Sequence, residues 1–323
     1  MVKSLSFSRE TKHELARIFP EKKCCRLAEL AGLIRLKGTM CFNEQQTLGL
    51  LVTTESAPIA RKIFSLWKEL YQVEPKISMH RRKKLQKKIV YGVYSYSLPD
   101  KMLKELGLLN REGKFTMGIR KKLISKKCCQ RSYLRGVFLA AGSISNPDNN
   151  YHLEMITNYY RYAQALVKVI NRFPEMAARI STRQKRYLIY FKESEQIAGF
   201  LNIIGAHQAL LKFENIRIMK DVRNQVNRLV NCDTANLKKV VNAALKQIEQ
   251  IKFIEQTIGL DKLPPRLQEV AYLRLHNPDS SLRELGELLN PPLGKSGINH
   301  RLRKIEELAR KINLQTGEKN KKD

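Results

Sequence analysis

The feature that most constrains this chain is that part of it is written twice. From Lys22 it reads KKCCRLAELAGLIRLKGT, and from Lys126 it reads KKCCQRSYLRGVFLAAGS. Cys24-Cys25, Leu30, Gly32 and Gly38 of the first stretch recur as Cys128-Cys129, Leu134, Gly136 and Gly142 of the second. Repetition at a fixed offset means two copies of one supersecondary unit. Each copy predicts a helix with a last turn of small residues, ended by a glycine able to take the left-handed cap conformation. In the first half the pattern then predicts a strand over 48–54, a helix over 57–71, an alternating strand over 89–97 and a helix over 99–108. The second half repeats this order, with 151–157 extended, 159–173 helical, 187–191 extended and 194–204 helical. One α+β unit, duplicated, is the expectation.

The 323 residues leave room for two or three domains. Sixty Lys and Arg against thirty Asp and Glu give a net charge of +30, which calls for a polyanionic partner. Nucleic acid is the first reading; a ribosomal or membrane-surface role is the alternative that charge alone leaves open. No apolar run reaches the ~18 residues of a membrane span, and Met1-Val2-Lys3-Ser4 leads into polar sequence without a signal-peptide core, so a cytosolic protein is expected. The six cysteines, at 24, 25, 41, 128, 129 and 232, show no C-x-x-C spacing. They read as small buried hydrophobes, with neither a zinc site nor disulfides expected.

Leu30-Ala31-Gly32-Leu33-Ile34-Arg35-Leu36-Lys37-Gly38 resembles the LAGLIDADG signature of homing endonucleases, and 134–142 is a weaker second copy. The resemblance implies two motif helices packed along a pseudo-twofold axis, where Ala31, Gly32, Gly136, Ala140 and Ala141 would let backbones approach. In active members the acid before each terminal glycine holds the divalent ions that support phosphodiester cleavage. Those positions are Lys37 and Ala141 here, and the earlier acidic position is Arg35 in one copy and Leu139 in the other. Lysine and alanine cannot hold magnesium, and nothing in the spacing selects Glu29, Glu55 or Glu154 as substitutes. No catalytic residue, metal or cofactor is therefore expected. Arg81, Arg82, Lys83, Lys84, Lys87 and Lys88 lie between extended segments, where they either contact phosphates or keep a solvated hairpin from aggregating.

After 204 the pattern is helical. A polar connection over 215–233 is expected to lead to a helix N-capped by Thr234, with Leu237, Val240, Val241, Ala244, Leu245, Ile248, Ile251 and Ile254 on one stripe that braces the last domain. Three short helices then follow. The first starts at Pro264-Pro265 and turns Leu267, Val270, Ala271 and Leu273 inward. The second starts at a Ser281/Glu284 capping box and buries Leu282, Leu285 and Leu288. The third, from about 296, buries Ile298, Leu302, Ile305, Leu308 and Ala309. It leaves Lys295, Ser296, Asn299, His300, Arg301, Arg303 and Lys304 to meet DNA, through base edges or phosphates. The alternative is a solvated basic face. The connection over 290–294, with Pro291-Pro292, is longer than an ordinary helix-turn-helix turn.

A degenerate duplicated LAGLIDADG module, a helical linker and a final helix-turn-helix together resemble the WhiA family of bacterial transcription regulators, most closely through the LLNPPLGKSGINHRLRKI segment that begins at Leu288. The resemblance implies an α+β fold: a duplicated LAGLIDADG-like αββαββα module over 1–210, with repeats of about 1–110 and 120–205. A helical linker over 211–260, an all-α domain over 261–314 resembling sigma factor region 4 and an unstructured basic tail over 315–323 complete it. It further implies a monomeric, nucleoid-associated protein without enzymatic activity. Such a protein regulates transcription linked to cell division, chromosome segregation or sporulation, with double-stranded DNA as partner and a protein partner on the module. An active endonuclease with a rearranged metal site and a nucleoid-associated division scaffold are the competing readings.

Overall fold

The computed structural model describes residues 5–81, 89–96, 100–110 and 112–319. They fall into two compact units, Met1–Asp221 and Val222–Asp323. In the first, helix α1 (Phe7–Arg17) precedes one copy of the repeat: α2 (Lys23–Lys37), β1 (Gly38–Phe42), β2 (Leu48–Thr54), α3 (Ala57–Tyr71), β3 (Lys76–Arg81), β4 (Ile89–Tyr96) and α4 (Asp100–Glu105). The second copy runs α5 (Lys127–Ala141), β5 (Gly142–Ile144), β6 (Leu153–Thr157), α6 (Tyr160–Ile170), β7 (Arg179–Arg183), β8 (Arg186–Phe191) and α7 (Ser194–Ile204). Each copy makes one antiparallel four-stranded sheet, ordered β1-β2-β4-β3 and β5-β6-β8-β7. The fold is α+β, an αββαββα unit used twice.

The inner strands β2, β4, β6 and β8 match the strands read from the apolar pattern. The outer ones do not announce themselves, because an edge strand has little to bury: β3 is exposed at every position but Ser78, and β7 at every position but Ile180. Nor does α1, whose buried face is Phe7, Thr11, Leu15 and Ala16 and which has no counterpart in the second copy.

At the centre α2 crosses α5 with backbone against backbone. A Cβ on Gly32 would lie 2.6 Å from the Tyr133 carbonyl oxygen, and one on Gly136 would lie closer still to that of Glu29. The glycines that end the motif helices serve a purpose different from the expected left-handed cap. Gly38 (φ −79°) and Gly142 (φ −76°) are extended and lead straight into β1 and β5. Glycine is required there because a Cβ would strike the turn before it, at 2.5 Å from the Ile34 carbonyl oxygen in the first copy and on the Phe138 ring in the second.

The two halves are also joined by buried charge. Glu29 on α2, wholly inaccessible, receives Lys62 of α3 at 2.6 Å and Arg135 of α5 at 3.1 Å. Lys62 further donates to the carbonyl of Leu15 at 2.9 Å and to that of Ile18, and Arg135 donates to that of Ile204 at 3.1 Å. Burial pushes the Lys62 ammonium below the usual lysine range, against the opposing pull of Glu29.

Helix α8 (His207–Thr257) begins under a cap from α1, where the Glu14 carboxylate accepts the Gln208 and Ala209 amides at 2.8 and 2.9 Å. It continues through 215–233, where a polar connection was expected, and Thr234 is an interior helical residue rather than an N-cap. The sequence contains neither glycine nor proline from His207 to Ile258, and pairs such as Glu214–Arg217 at 2.8 Å support a helix without much burial. The expected bracing stripe is correspondingly shorter. Leu237, Val240, Val241 and Leu245 are exposed, while Ile251 and Ile254 are wholly buried.

The second unit is closed by α9 (Pro265–His276), α10 (Leu282–Glu287) and α11 (Lys295–Lys319) around Val270, Ala271, Leu285, Ile298, Leu302 and Ile305. The capping box is present: the Ser281 hydroxyl accepts the Glu284 amide at 3.3 Å, and the Ser281 amide donates to the Glu284 carboxylate at 2.7 Å. Leu288, expected inside, is exposed because α10 stops at Glu287, and Leu289 is buried in its place. The unstructured tail is likewise revised, since α11 runs to Lys319; Gly317 alone, at a cost of about 1 kcal/mol, does not stop a helix. Residues 320–323 lie outside the described residues.

Candidate nucleic-acid interfaces

The α10-to-α11 connection is longer than an ordinary turn, and its closure depends on Gly286. The Leu293 amide donates to the Gly286 carbonyl at 2.9 Å, and a Cβ on Gly286 would lie on the Leu293 carbonyl. The connection includes a cis Asn290-Pro291 bond. It delivers α11 with Ile298, Leu302, Ile305 and Ala309 buried and with two rows of polar residues turned away from them. Lys295, Asn299 and Arg303 form one row at four-residue spacing; Ser296, His300 and Lys304 form the other. All but the half-buried Asn299 are exposed. Among the described residues none of the six has an ion pair or side-chain hydrogen bond. Arg301 differs: it turns toward α9, donating to the Arg266 carbonyl at 3.3 Å and lying 3.8 Å from Glu269.

A second basic surface lies at the end of the motif helices. A cleft of about 860 Å³ is lined by Arg9, Lys12 and His13 of α1, by Lys37, and by Leu139 and Ala140, near the positions where the signature would carry its acids. Burial, and then Lys37, push the Lys12 ammonium down to about 8. Burial, and then Arg9, Arg17 and Arg61, keep the His13 imidazole below its ordinary value. Ser56, the N-cap of α3, also lines the cleft and makes no side-chain cap. With Arg9, Lys12 and Lys37 against the single carboxylate of Glu55 in its lining, the cleft suits an anion better than a divalent metal. Of the three acids weighed as substitutes, Glu29 is held by Lys62 and Arg135, Glu154 pairs with His152 at 3.1 Å, and Glu55 lines the cleft among these cations.

Arg81 is exposed at the end of β3, whose register with β4 closes at Arg81↔Ile89; Arg82, Lys83, Lys84, Lys87 and Lys88 lie outside the described residues. The second copy carries a basic hairpin that sequence reading missed. Arg183 pairs with Arg186 across a two-residue turn in which Gln184 (φ 48°) and Lys185 (φ 62°) are both left-handed, and Arg179, Arg183, Lys185 and Arg186 are exposed. Its signal, TRQKR, is plain in the sequence once the repeat is carried through to that point. Arg9, Lys12 and His13 were missed because α1 has no partner in the repeat.

Two LAGLIDADG-like units joined into one module, with lysine and alanine where the cleavage acids would be, followed in the chain by a helix-turn-helix domain, define a class of protein that joins an endonuclease-like scaffold to a DNA-binding domain. Family models described as the WhiA N-terminal LAGLIDADG-like domain, the WhiA LAGLIDADG-like domain and the WhiA C-terminal HTH domain match residues 23–109, 130–223 and 226–309. The chain belongs to the WhiA family. It is 50% identical over 318 residues to a probable cell division protein WhiA of Heliobacterium modesticaldum, covering 97% of this chain and 98% of that one. It is 52% identical over 312 residues to that of Desulfitobacterium hafniense, covering 97% and 98%. Among solved structures, full-length WhiA from Thermatoga maritima is similar at a TM-score of 0.59 and 27% identity, over 96% of this chain and 99% of that one. No helix among the described residues is long and apolar enough to cross a membrane.

Proposed function

We propose that the protein is a sequence-specific DNA-binding transcription regulator acting in cell division, chromosome segregation or sporulation. The observation that carries this reading is the outer face of α11, where Lys295, Ser296, Asn299, His300, Arg303 and Lys304 stand in two rows without internal partners among the described residues. In a major groove such a face offers bidentate donors to guanine from Arg303, an amide to adenine from Asn299, and phosphate contacts from Lys295 and the helix N-terminus. Arg301 is assigned to the domain's own packing. The cleft with Lys12 and Lys37 and the basic hairpins of both copies add sequence-independent phosphate contacts, extended by 82–88, or serve a protein partner. The protein works as a monomer on double-stranded DNA at the nucleoid and has no enzymatic activity. The names of its relatives support the division role.

The test is genomic DNA selection with the full-length chain, its Arg303→Ala variant and its Lys12→Ala variant at fixed salt, with and without magnesium. A motif enriched by the wild type, lost with Arg303→Ala and kept at lower affinity with Lys12→Ala is expected, with no cutting. Magnesium-dependent cleavage would return the first unit to the nucleases. Diffuse enrichment unaffected by Arg303→Ala would favour a division scaffold.

A further inference from the structure

The reading of the cysteines as buried hydrophobes holds for Cys25 and Cys129 alone. Cys25 and Cys129 are buried, but Cys24 is exposed and Cys128 half-buried. The crossing of α2 and α5 brings the two vicinal pairs together at the N-terminal ends of these helices. The sulfurs of Cys24, Cys25 and Cys129 all lie within 4.8 Å of one another. Cys128, half-buried and adjacent to Cys129 at the same helix end, is the fourth thiol, though its sulfur is not within 4.8 Å of all three. Three thiols thus form one cluster, two from the first copy of the repeat and one from the second, with Cys128 next to it. A linear search for C-x-x-C passes over it, because each pair is vicinal and the partners are far apart in the chain.

We propose that Cys24, Cys25, Cys128 and Cys129 form a tetrathiolate site for zinc or a similar thiophilic divalent cation, clamping the two motif helices at one end of their crossing. Zinc takes four thiolates in tetrahedral geometry at about 2.3 Å, with no redox change. The sulfurs of Cys24, Cys25 and Cys129, already within 4.8 Å, need only close by about an ångström to meet that geometry, and Cys128 turns in as the fourth donor. Each thiol exchanges its proton for a bond to the metal, and the filled site carries a net charge of −2. The surroundings balance that charge: the positive ends of α2 and α5 converge on it, and Lys22, Lys23, Lys126 and Lys127 flank it in the chain. Proton release on binding makes metal affinity rise with pH.

Cobalt(II) is the probe. The full-length chain, stripped with chelator and kept reduced without oxygen, is titrated with cobalt(II) and then with zinc(II). One cobalt per chain with thiolate charge-transfer absorption and intense tetrahedral d–d bands, bleached by one zinc, is expected. Cys25→Ser/Cys129→Ser should abolish these bands, and Cys41→Ser/Cys232→Ser should keep them. If the first pair of changes prevents folding, Cys24→Ser at the solvent edge should lower zinc affinity at least about tenfold, since even the loss of an outer-sphere contact costs that much. Saturating zinc should raise the thermal midpoint of the first unit by about 10 °C. A cobalt spectrum that stays that of the aqueous ion, bands that survive Cys25→Ser/Cys129→Ser, or zinc affinity unchanged by Cys24→Ser would each overturn the site.

Discussion

The two units are best compared by what holds their cations. In the first, several cations are turned inward. Lys62 and Arg135 close on Glu29, and Arg35, at a position where the signature carries an acid, donates to the carbonyls of Thr116 and Gly118, the latter at 2.7 Å. In the second, Arg274 is held likewise by the Ser280 carbonyl at 2.7 Å, but Lys295, Arg303 and Lys304 have no such partner among the described residues. A buried cation tied to a carboxylate or to carbonyls has already lost its water and cannot leave to meet a phosphate without stranding its partner. A net charge of +30 therefore overstates the surface available to a polyanion. What matters is which cations the fold leaves unattached.

The comparison breaks most visibly at Glu29. Glu29→Ala strands two buried cations and should destabilise the first unit by about 3–5 kcal/mol. Trp67, the chain's lone tryptophan and itself wholly buried, reports that unit's denaturant unfolding by fluorescence. Its midpoint should fall while the second unit still binds DNA; an unchanged midpoint would mean the buried charges are not structural. Next in size is the contrast between Arg303 and Arg301 on α11. Arg303→Ala should lower specific DNA affinity by roughly 1–3 kcal/mol with the fold intact. Arg301→Ala should cost the second unit's stability up to about 1 kcal/mol and leave base discrimination alone. Binding and melting curves on both variants decide it, and equal losses of specificity would erase the distinction between attached and unattached cations.

How much of this was legible in the sequence follows the same line. The repeat carries local information that neighbours in the chain can express: the helix at 57–71, the strand at 48–54 and the capping box at Ser281 agree with the structure because period and cap chemistry act over a few residues. Edge strands β3 and β7 left no trace because they bury almost nothing. Thr234 misled because a good N-cap residue is indifferent inside a helix that nothing else interrupts. The Glu29 triad, the Lys12 cleft and the cysteine cluster were not legible at all, since each is assembled from segments that only the fold brings together. On α11 the outer face was readable from spacing alone, but the attachment of Arg301 depends on where α9 lies.

A smaller effect sharpens the first unit's role in binding. Lys12, pushed down to about 8, is mostly charged at pH 7 and mostly neutral at pH 9. If a phosphate sits in the cleft, binding raises its pKa, and DNA affinity should fall as pH rises through 8, by up to about tenfold between pH 7 and 9. Lys12→Arg, charged throughout, should flatten that dependence. Folding carries the opposite sign. Above pH 8 the unfolded chain holds more protons at this lysine than the native one, so its contribution to stability rises with pH toward 10.5. Affinity that is flat with pH, or equally steep in Lys12→Arg, would remove the cleft from the DNA interface.

The smallest effect belongs to the second unit. Glu306 on α11 accepts from Lys246 of α8 at 2.7 Å and from Arg310 at 2.8 Å, and the Lys246 contact in particular holds its carboxyl down to about 2. A depressed carboxylate stabilises the folded state above its unfolded value of about 4.5, and that contribution fades as pH falls toward 2. Both groups reach solvent, Lys246 by more than half, so Glu306→Gln should cost less than about 1 kcal/mol at pH 7 and nothing at pH 2. The measurement is the melting of the second unit against pH for both forms. A penalty well above that bound would mean that Lys246–Glu306 acts like the buried charges of the first unit, fastening α8 to α11. The contrast would then lie between individual sites and not between the two units.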